Sequence, residues 1–237
     1  REARLAKAQG LMAELGADAL IVGAGASLRY FAGVGWGAAE RLVAMLLPRS
    51  GAPVMICPAF EEGSLKASLG IEAALALWEE HESPYALAAK VLRDLGARRL
   101  AIDPALAFFM FDGLRSAAPD IETTSGAAVI DGCRMTKSPA ELALMAQAKA
   151  MTLEVHRRTA RILREGITTG EVRRFIDQAH RALGADDGSS FCAVQFGEAS
   201  AYPHGVPGEQ RLSEGDLVLI DTGCQVQGYN SDITRTY

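Results

Sequence analysis

Cysteine is scarce in this sequence, and its few occurrences lack the spacing of a disulfide framework or a zinc site. The four cysteines stand singly, without a Cys-x-x-Cys pair, at Cys57, Cys133, Cys192 and Cys224. A fold organised by paired cysteines is therefore not expected. Scattered cysteines of this kind predict reduced structural thiols and a cytoplasmic location.

Blocks of positive charge and long apolar runs are also missing. The net charge is −5, from 24 Lys and Arg against 29 Asp and Glu, and no basic block is present. We therefore expect neither nucleic acid nor an anionic membrane as a partner. No apolar stretch approaches the roughly 20 residues of a membrane span, and the N-terminus is an amphipathic charged helix rather than a signal sequence. The 237 residues, 49% of them hydrophobic, are enough for one or two domains with cores of their own.

The first part of the chain, residues 1–133, alternates between helical and strand patterns. A helix from Arg1 to Leu15 is closed by Gly16, and a turn at positions 48–52 joins two strands into a hairpin. Strands and helices in this order predict an α/β domain with a mixed sheet. The expected strands are Ala19 to Val22, Arg41 to Leu47, Pro53 to Cys57, Ala73 to Leu77, Arg99 to Ile102 and Ile121 to Thr124. The expected later helices are Ala59 to Leu69, Ser83 to Leu95 and Pro104 to Ala117.

The second part, residues 134–237, begins with two helix starts. Ser138 followed by Pro139 and Glu141 is a capping box, and Thr168 with Glu171 repeats its spacing. The first helix is expected to end at Gly166 and the second near Gly184. A strand from Phe191 to Phe196 and a hairpin then complete an α+β order. The apolar face expected on the first helix comprises Leu142, Met145, Leu153, His156, Ala160 and Leu163, with His156 as a packed histidine rather than a metal ligand.

The hairpin near the C-terminal end carries two aspartates eleven positions apart. An apolar run leads into Asp221, and the pattern resumes before Asp232. If the turn centres on Val226 and Gln227, the two aspartates lie directly opposite each other, with Cβ atoms roughly 5 Å apart. Carboxylates that close repel, so either one stays protonated or a cation lies between them. Hard oxygen ligands suit Mn²⁺ or Mg²⁺, and a bridging carboxylate could serve two ions about 3.5–4 Å apart.

Three ordered motifs resemble the metallopeptidases with the pita-bread fold, in particular the prolidase and aminopeptidase P branch. They are Pro203-His204-Gly205, the run from Gly215 to Gly223 that contains Asp221-Thr222-Gly223, and the run from Gly228 to Thr236 that contains Asp232-Ile233-Thr234-Arg235-Thr236. Residues 1–133 resemble the creatinase-type N-terminal domain of that family, which includes a segment like Leu28 to Gly33. The resemblance implies an α/β creatinase-like domain followed by the first half of an α+β pita-bread catalytic domain.

The resemblance also implies roles for individual residues. Asp221 would bind one divalent ion and Asp232 would bridge two, with Mn²⁺ expected and Co²⁺ or Zn²⁺ as alternatives. His204 would act on the substrate from outside the metal shell, and Thr234 would be a hydrogen-bond partner behind the ligands. The implied reaction is metal-assisted hydrolysis of the bond before proline in Xaa-Pro dipeptides or short Xaa-Pro peptides. We expect a homodimer.

Other interpretations remain open at this point. Asp221 with Thr222 and Gly223 also fits the catalytic turn of an aspartic protease, although the preceding helices count against it. Asp232 taken alone suits a strand-end carboxylate, and His204 taken alone suits an ordinary loop histidine. Within the same fold, a creatinase-like enzyme without metals and a catalytically inactive peptide-binding or scaffold module are the alternatives.

The family completes its metal shell with a later His and two Glu, which this chain does not contain. The other histidines, His81, His156 and His180, precede the motifs and lie in helical patterns. We therefore expect the chain to be the N-terminal piece of a longer enzyme and its missing partner to be the second half of the catalytic domain. A His and two Glu in that half would indicate an enzyme, and their loss would indicate a binding module.

Overall fold

A computed structural model describes residues 1–202 and 204–237, so Pro203 of the first motif lies outside the described residues. The chain forms two compact units, Arg1–Thr136 and Lys137–Tyr237, hereafter the first and the second unit.

The first unit is built on a six-stranded mixed sheet. Its strand order is β4-β3-β2-β1-β5-β6, with β1 antiparallel to β2, β2 antiparallel to β3, and the remaining neighbours parallel. The predicted mixed α/β sheet is therefore confirmed. The strands are β1 (Ala19–Gly23), β2 (Ala44–Pro48), β3 (Val54–Pro58), β4 (Ala74–Trp78), β5 (Arg99–Ile102) and β6 (Glu122–Ser125).

Helices cover both faces of this sheet. Along β1, Leu20 and Val22 pack into one apolar cluster, whereas Ala19 and Ile21 pack into a second cluster on the opposite face. A central strand that is buried on both faces is a continuous run of apolar residues, and this run allowed β1 to be predicted from the sequence. The helices are α1 (Glu2–Leu15), α2 (Ala26–Ala32), α3 (Glu62–Ser68), α4 (Pro84–Asp94), α5 (Phe108–Ala117) and α6 (Ala127–Arg134), with a 3₁₀ turn at Ala59–Glu61.

Most predicted boundaries in the first unit agree with the structure within a few residues. Gly16 ends α1 in a left-handed conformation with φ 70°, as the sequence predicted. The helix expected from Pro104 begins only at Phe108, after a turn in which the Asp103 carboxylate accepts the Ala105 amide at 2.9 Å. Helices α2 and α6, which are seven and eight residues long, were not predicted as helices.

The second unit packs two helices on one face of a small antiparallel sheet. Strand order is β10-β8-β7, and β9 pairs with β8 in the hairpin. Both predicted capping boxes are present, with the Glu141 carboxylate accepting the Ser138 amide and the Glu171 carboxylate accepting the Thr168 amide. The elements are α7 (Pro139–Ala160), α8 (Thr169–Ala182), β7 (Ser189–Phe196), β8 (Val218–Val226), β9 (Tyr229–Asn230) and β10 (Ile233–Thr236), with a 3₁₀ turn at Gly197–Ala201.

The predicted apolar face of α7 is wrong in part. The helix ends at Ala160 rather than Gly166, and Leu142 and Leu153 are 54% and 41% exposed. His156, which was predicted on this face, is buried, and so is Thr152, which was not predicted there, because this helix packs on strands that present polar groups to it. Within the described residues, no helix has the length and apolar character needed to cross a membrane.

Candidate metal centre

The hairpin that carries the two aspartates has a different register from the predicted one. Thr234, not Asp232, lies directly opposite Asp221, and Ile233 lies opposite Thr222. Asp232 precedes β10 and is therefore diagonal to Asp221, a relation that separates Cα atoms by roughly 7–8 Å. The predicted direct pairing of the two carboxylates is wrong, although both remain on the same face of the hairpin, because positions 232 and 234 alternate together.

The cause of the shifted register is the turn. The turn residues are Gln227 and Gly228, since Val226 pairs with Tyr229. Both turn residues have positive φ, 49° and 80°, which a two-residue type I′ turn requires. The Asp186 carboxylate accepts both of their amides at 2.9 Å. A turn centred one residue earlier would have placed Val226, a β-branched residue, where positive φ is needed.

Asp221 is held by its cross-strand neighbour. The Thr234 hydroxyl donates to Asp221 Oδ1 at 2.8 Å, and Asp221 is half-buried. This contact leaves the second carboxylate oxygen, Oδ2, without a protein partner in the described part of the chain. The geometry therefore orients the carboxylate while keeping one oxygen open to a ligand.

Asp232 is exposed and has no hydrogen bond or ion pair to any residue the structure describes. Its carboxylate and that of Asp221 form a pair of hard oxygen donors on one face, which suits part of the shell of a divalent ion. Among residues 1–202 and 204–237 no group of three or more His, Cys, Asp and Glu side chains could hold a metal ion. The donors that the described residues offer at this hairpin are thus two carboxylates.

His204 lies in an exposed turn, and no hydrogen bond or ion pair within the described residues joins it to either carboxylate. The next residue, Gly205, donates its amide to Tyr202 O at 3.0 Å and packs against Gln195, where an added Cβ would be 3.5 Å from Nε2. Gln195 lies opposite Leu219 on the strand pair and therefore shares the face of Asp221. The turn that carries His204 thus passes over the same face of the sheet as Asp221.

Gln195 was missed by sequence reasoning. It is 2% exposed, and neither atom of its amide has a hydrogen-bond partner among the described residues. Its position in the middle of a predicted strand was the only signal, and a polar residue on a half-buried strand is not distinctive.

Gly223 of the Asp-Thr-Gly motif is required by a close approach of the chain. A Cβ at this position would lie 2.0 Å from the backbone oxygen of Ser231 and 2.8 Å from the ring of Phe191. No other residue fits there without moving the segment just before Asp232. The Thr222 hydroxyl donates to Phe191 O at 2.8 Å and so ties β8 to β7.

Two buried histidines stand behind the hairpin, on the face opposite the carboxylates. His156 on α7 contacts Ile233 O through Nε2 at 3.0 Å and the Tyr237 hydroxyl through Nδ1 at 2.9 Å. His180 on α8 contacts the hydroxyls of Thr152 at 3.0 Å and Ser189 at 2.9 Å. Burial lowers the pKa of both histidines below the usual 6.5, so both are neutral near pH 7. His156 is a packed helix histidine, as the sequence predicted.

The two cysteines of this unit are thiols with no access to the carboxylate face. Cys224 is fully buried, with Sγ 3.6 Å from Ala148 O on the helix side. Burial raises the pKa of Cys192 to about 11, which keeps that thiol protonated. All four cysteines of the chain are free.

Comparison with known proteins adds two family matches. Residues 4–136 match the Creatinase/Prolidase N-terminal domain, and residues 143–237 match Metallopeptidase family M24. The two matches follow the two units of the structure.

Individual relatives extend along nearly the whole chain. The protein named "Probable dipeptidase PepE" from Mycobacterium tuberculosis is 33% identical over 99% of this chain and 62% of its own length. Dipeptidase PepE from Mycobacterium ulcerans superposes with a TM-score of 0.89 at 32% identity, covering 100% of this chain and 64% of that one. A prolidase from Thermococcus sibiricus gives 0.88 at 27% identity, with 98% and 64% covered. The chain therefore spans less than two thirds of the length of these relatives.

These likenesses confirm the predicted fold class, a creatinase-type N-terminal domain followed by part of a pita-bread domain.

Proposed function

The chain belongs to the Creatinase/Prolidase N-terminal domain family and, in its second unit, to Metallopeptidase family M24, and from this we propose that the full-length protein is a metal-dependent dipeptidase that cleaves the bond before proline. Asp221 and Asp232 would be this chain's contribution to a site for two divalent ions, with Mn²⁺ favoured. The reading that most directly competes is a catalytically inactive module on the same fold.

One observation carries the proposal. The hairpin presents two carboxylates on one face, one exposed and without a partner among the described residues, the other half-buried and oriented by Thr234 at 2.8 Å. Two anions on one face, with no cationic side chain of the described residues paired to either, favour the binding of a cation. A creatinase-like enzyme without metals would have no use for this pair.

The protein's own groups have separable tasks. Asp221 and Asp232 would hold the ions, and Thr234 would keep Asp221 in its rotamer by donating to Oδ1. Divalent ions, when bound, would supply activation of water and polarisation of the scissile carbonyl. His204, on the turn over the same face, would donate to the oxygen on which charge develops or position the prolyl end of the substrate.

The substrate class rests on the relatives, since one of them is named a prolidase and two are named dipeptidases. A bond before proline lacks the amide hydrogen that ordinary peptidases bind, and the ring restricts the chain. Mn²⁺, a homodimeric assembly and a cytoplasmic location remain predictions; the four free thiols support the last.

The test compares three forms of the full-length protein: wild type, Asp232→Ala and His204→Ala. We expect exhaustive chelation to abolish hydrolysis of an Ala-Pro dipeptide and Mn²⁺ to restore it. Asp232→Ala should lose metal and activity together, because one carboxylate cannot compensate the charge of the ions. His204→Ala should keep its metal content while kcat/KM falls on the order of 10²–10³-fold.

Metal analysis beside the kinetics separates the outcomes. Full activity in the metal-free protein would refute the proposal. Loss of metal in His204→Ala would make His204 a ligand, and unchanged kinetics would make it an ordinary loop histidine. Metal binding without any hydrolysis would favour the inactive module.

A further inference from the structure

The two carboxylates of the site are positioned in different ways. Asp221 is oriented by a side chain, through the Thr234 hydroxyl at 2.8 Å. Asp232 has no such contact within the described residues. Its position must therefore be set by the backbone on either side of it, at Ser231 and Ile233.

Ser231 is attached to the core by its side chain rather than by a regular strand pair. Its hydroxyl accepts the Cys224 amide at 2.9 Å, a bond that a backbone carbonyl would accept in an uninterrupted ladder. Its own amide donates to Cys224 O at 2.9 Å. The chain at Ser231 lies so close to β8 that only glycine fits at position 223. This arrangement turns the backbone out of the ladder one residue before Asp232.

A chain of buried polar groups continues from the Ser231 hydroxyl into the helices. Thr152 Oγ1 lies 2.7 Å from Ser231 Oγ and 3.0 Å from His180 Nε2, and His180 Nδ1 lies 2.9 Å from the Ser189 hydroxyl. With His180 neutral, the hydroxyls of Ser231 and Thr152 each have an acceptor in either of two proton arrangements. In the first arrangement the Ser231 hydroxyl donates to Thr152 Oγ1, and the Thr152 hydroxyl donates to His180 Nε2. In the second, His180 Nε2 donates to Thr152, Thr152 donates to Ser231, and Ser231 donates to Cys224 O at 3.3 Å. The hydrogen bonds between Ser231 and His180 are thus satisfied in both arrangements.

The other neighbour of Asp232 is held by the second buried histidine. His156 Nε2 lies 3.0 Å from Ile233 O, and Nδ1 lies 2.9 Å from the Tyr237 hydroxyl. Nε2 must carry the proton, since a carbonyl can only accept. The Tyr237 hydroxyl can then donate to Nδ1, and this fixes the tautomer of the ring.

We propose that Ser231 and His156 are positioning residues that hold Asp232 in place from behind the sheet, Ser231 through Thr152 and His180, His156 through Ile233 O. This inference rests on the proposed metal site. Neither histidine is a ligand or contacts substrate. The role of Ser231 and His156 is to fix the Asp232 carboxylate, whose own side chain has no partner within residues 1–202 and 204–237.

The test uses a matched pair of serine variants at the two ends of the same chain of hydroxyls. Ser231→Ala removes the end that adjoins Asp232, and Ser189→Ala removes the end that adjoins only His180, where the half-buried site lets water replace the hydroxyl. Mn²⁺ dissociation constants by equilibrium dialysis and the absorption spectrum of the Co²⁺ form are measured on the full-length protein. We expect Ser231→Ala to weaken metal affinity about 10–100-fold and to change the Co²⁺ spectrum. Ser189→Ala should change neither.

Equal affinities in the two serine variants would overturn the inference. Should Ser231→Ala fail to fold, two other variants replace it: Thr152→Val removes the next hydroxyl of the chain, and Ser231→Thr keeps the hydroxyl at position 231. Thr152→Val should bind metal more weakly than the wild type, and Ser231→Thr should bind it as tightly as the wild type. The opposite order of affinities overturns the inference. Asp232→Ala serves as the reference for the proposed function. If it retains both ions, the proposed metal site itself is wrong, whereas if it loses them while Ser231→Ala behaves as Ser189→Ala, only the positioning role fails.

Discussion

The two units of this chain differ in how many polar and charged side chains they bury. In the first unit only two polar or charged residues are buried among those described, Ser27 and Asp103, although its sheet is covered on both faces. In the smaller second unit ten are buried: Glu141, Thr152, His156, Thr159, Thr168, Thr169, His180, Gln195, Thr222 and Ser231. The first unit is therefore held by apolar packing, whereas in the second unit every buried polar residue except Gln195 makes a side-chain hydrogen bond.

The difference indicates which kind of substitution should destabilise each unit. Apolar packing is non-directional, and the loss of volume is what damages it. A buried polar chain is directional, and removing one member leaves its partners unsatisfied.

The largest expected effect is a cavity in the first unit. Leu46 in β2 is fully buried, so Leu46→Ala should lower the free energy of unfolding by about 2–5 kcal/mol. Leu217→Ala, at a side chain 58% exposed, should change it by no more than about 0.5 kcal/mol. Urea denaturation measures both. Similar values for the two variants would contradict the account of an apolar core.

A smaller loss is expected from removing a hydroxyl in the second unit at nearly constant volume. Thr152→Val leaves His180 Nε2 without its partner and removes one partner of Ser231, which should cost about 1–3 kcal/mol. Thr159→Val, on the same helix and equally buried, removes only a bond to Val155 O within the helix and should cost about 1 kcal/mol or less. If both variants unfold at the same urea concentration, the chain of polar groups contributes nothing beyond a helix contact.

The pH dependence should also differ between the units. Burial lowers the pKa of His156 and His180 below 6.5, so the unfolded state binds more protons between the lowered values and 6.5. Their contribution to stability is therefore fully present above about pH 6.5 and is lost as the pH falls through the lowered pKa values. Unfolding of the second unit, followed by amide exchange between pH 7.5 and 5, should show this loss.

The first unit provides the control for that pH dependence, because it contains no buried histidine in the described range; His81 is exposed. His81→Gln should leave the pH dependence of the first unit's free energy of unfolding unchanged. A second unit whose stability is flat, or rises, as the pH falls from 7 to 5.5 would contradict the lowered pKa values.

The smallest effect on stability is expected on the carboxylate face. Thr234→Val removes the bond to Asp221 at an exposed position, and the free energy of unfolding should change by about 0.5 kcal/mol or less. Mn²⁺ affinity should nevertheless fall about 10-fold, because the carboxylate loses the group that orients it. Thr236→Val, on the same strand and face but opposite Leu219, is the matched control. Equal metal affinity in the two variants would remove Thr234 from the site.

Features that depend on neighbouring residues were predicted correctly from the sequence, whereas features that depend on distant residues were not. The capping boxes at Ser138 and Thr168 and the glycine stop at Gly16 depend on residues within four positions, and all three are present. His156 was predicted as a packed residue of α7, whereas the burial of Thr152 was missed, because the groups that bury it, His180 and Ser231, lie 28 and 79 positions further along the chain. The helical period of apolar residues gives no reason to place a threonine at that position in the core.

The sequence alone was sufficient to determine the motifs, their order and the carboxylates that one hairpin would carry, because these are matters of residue type and short spacing. Tertiary structure alone decided which residue faces Asp221. The register depends on positive φ at Gln227 and Gly228 and on Asp186 binding both amides from the end of α8. It also decided which residues contact the neighbours of Asp232, since the hydroxyl of Thr152 and the ring of His156 reach Ser231 and Ile233 from a helix 77 to 79 positions earlier. No short-range pattern records contacts of that span, because their formation requires the helix and the sheet to pack first.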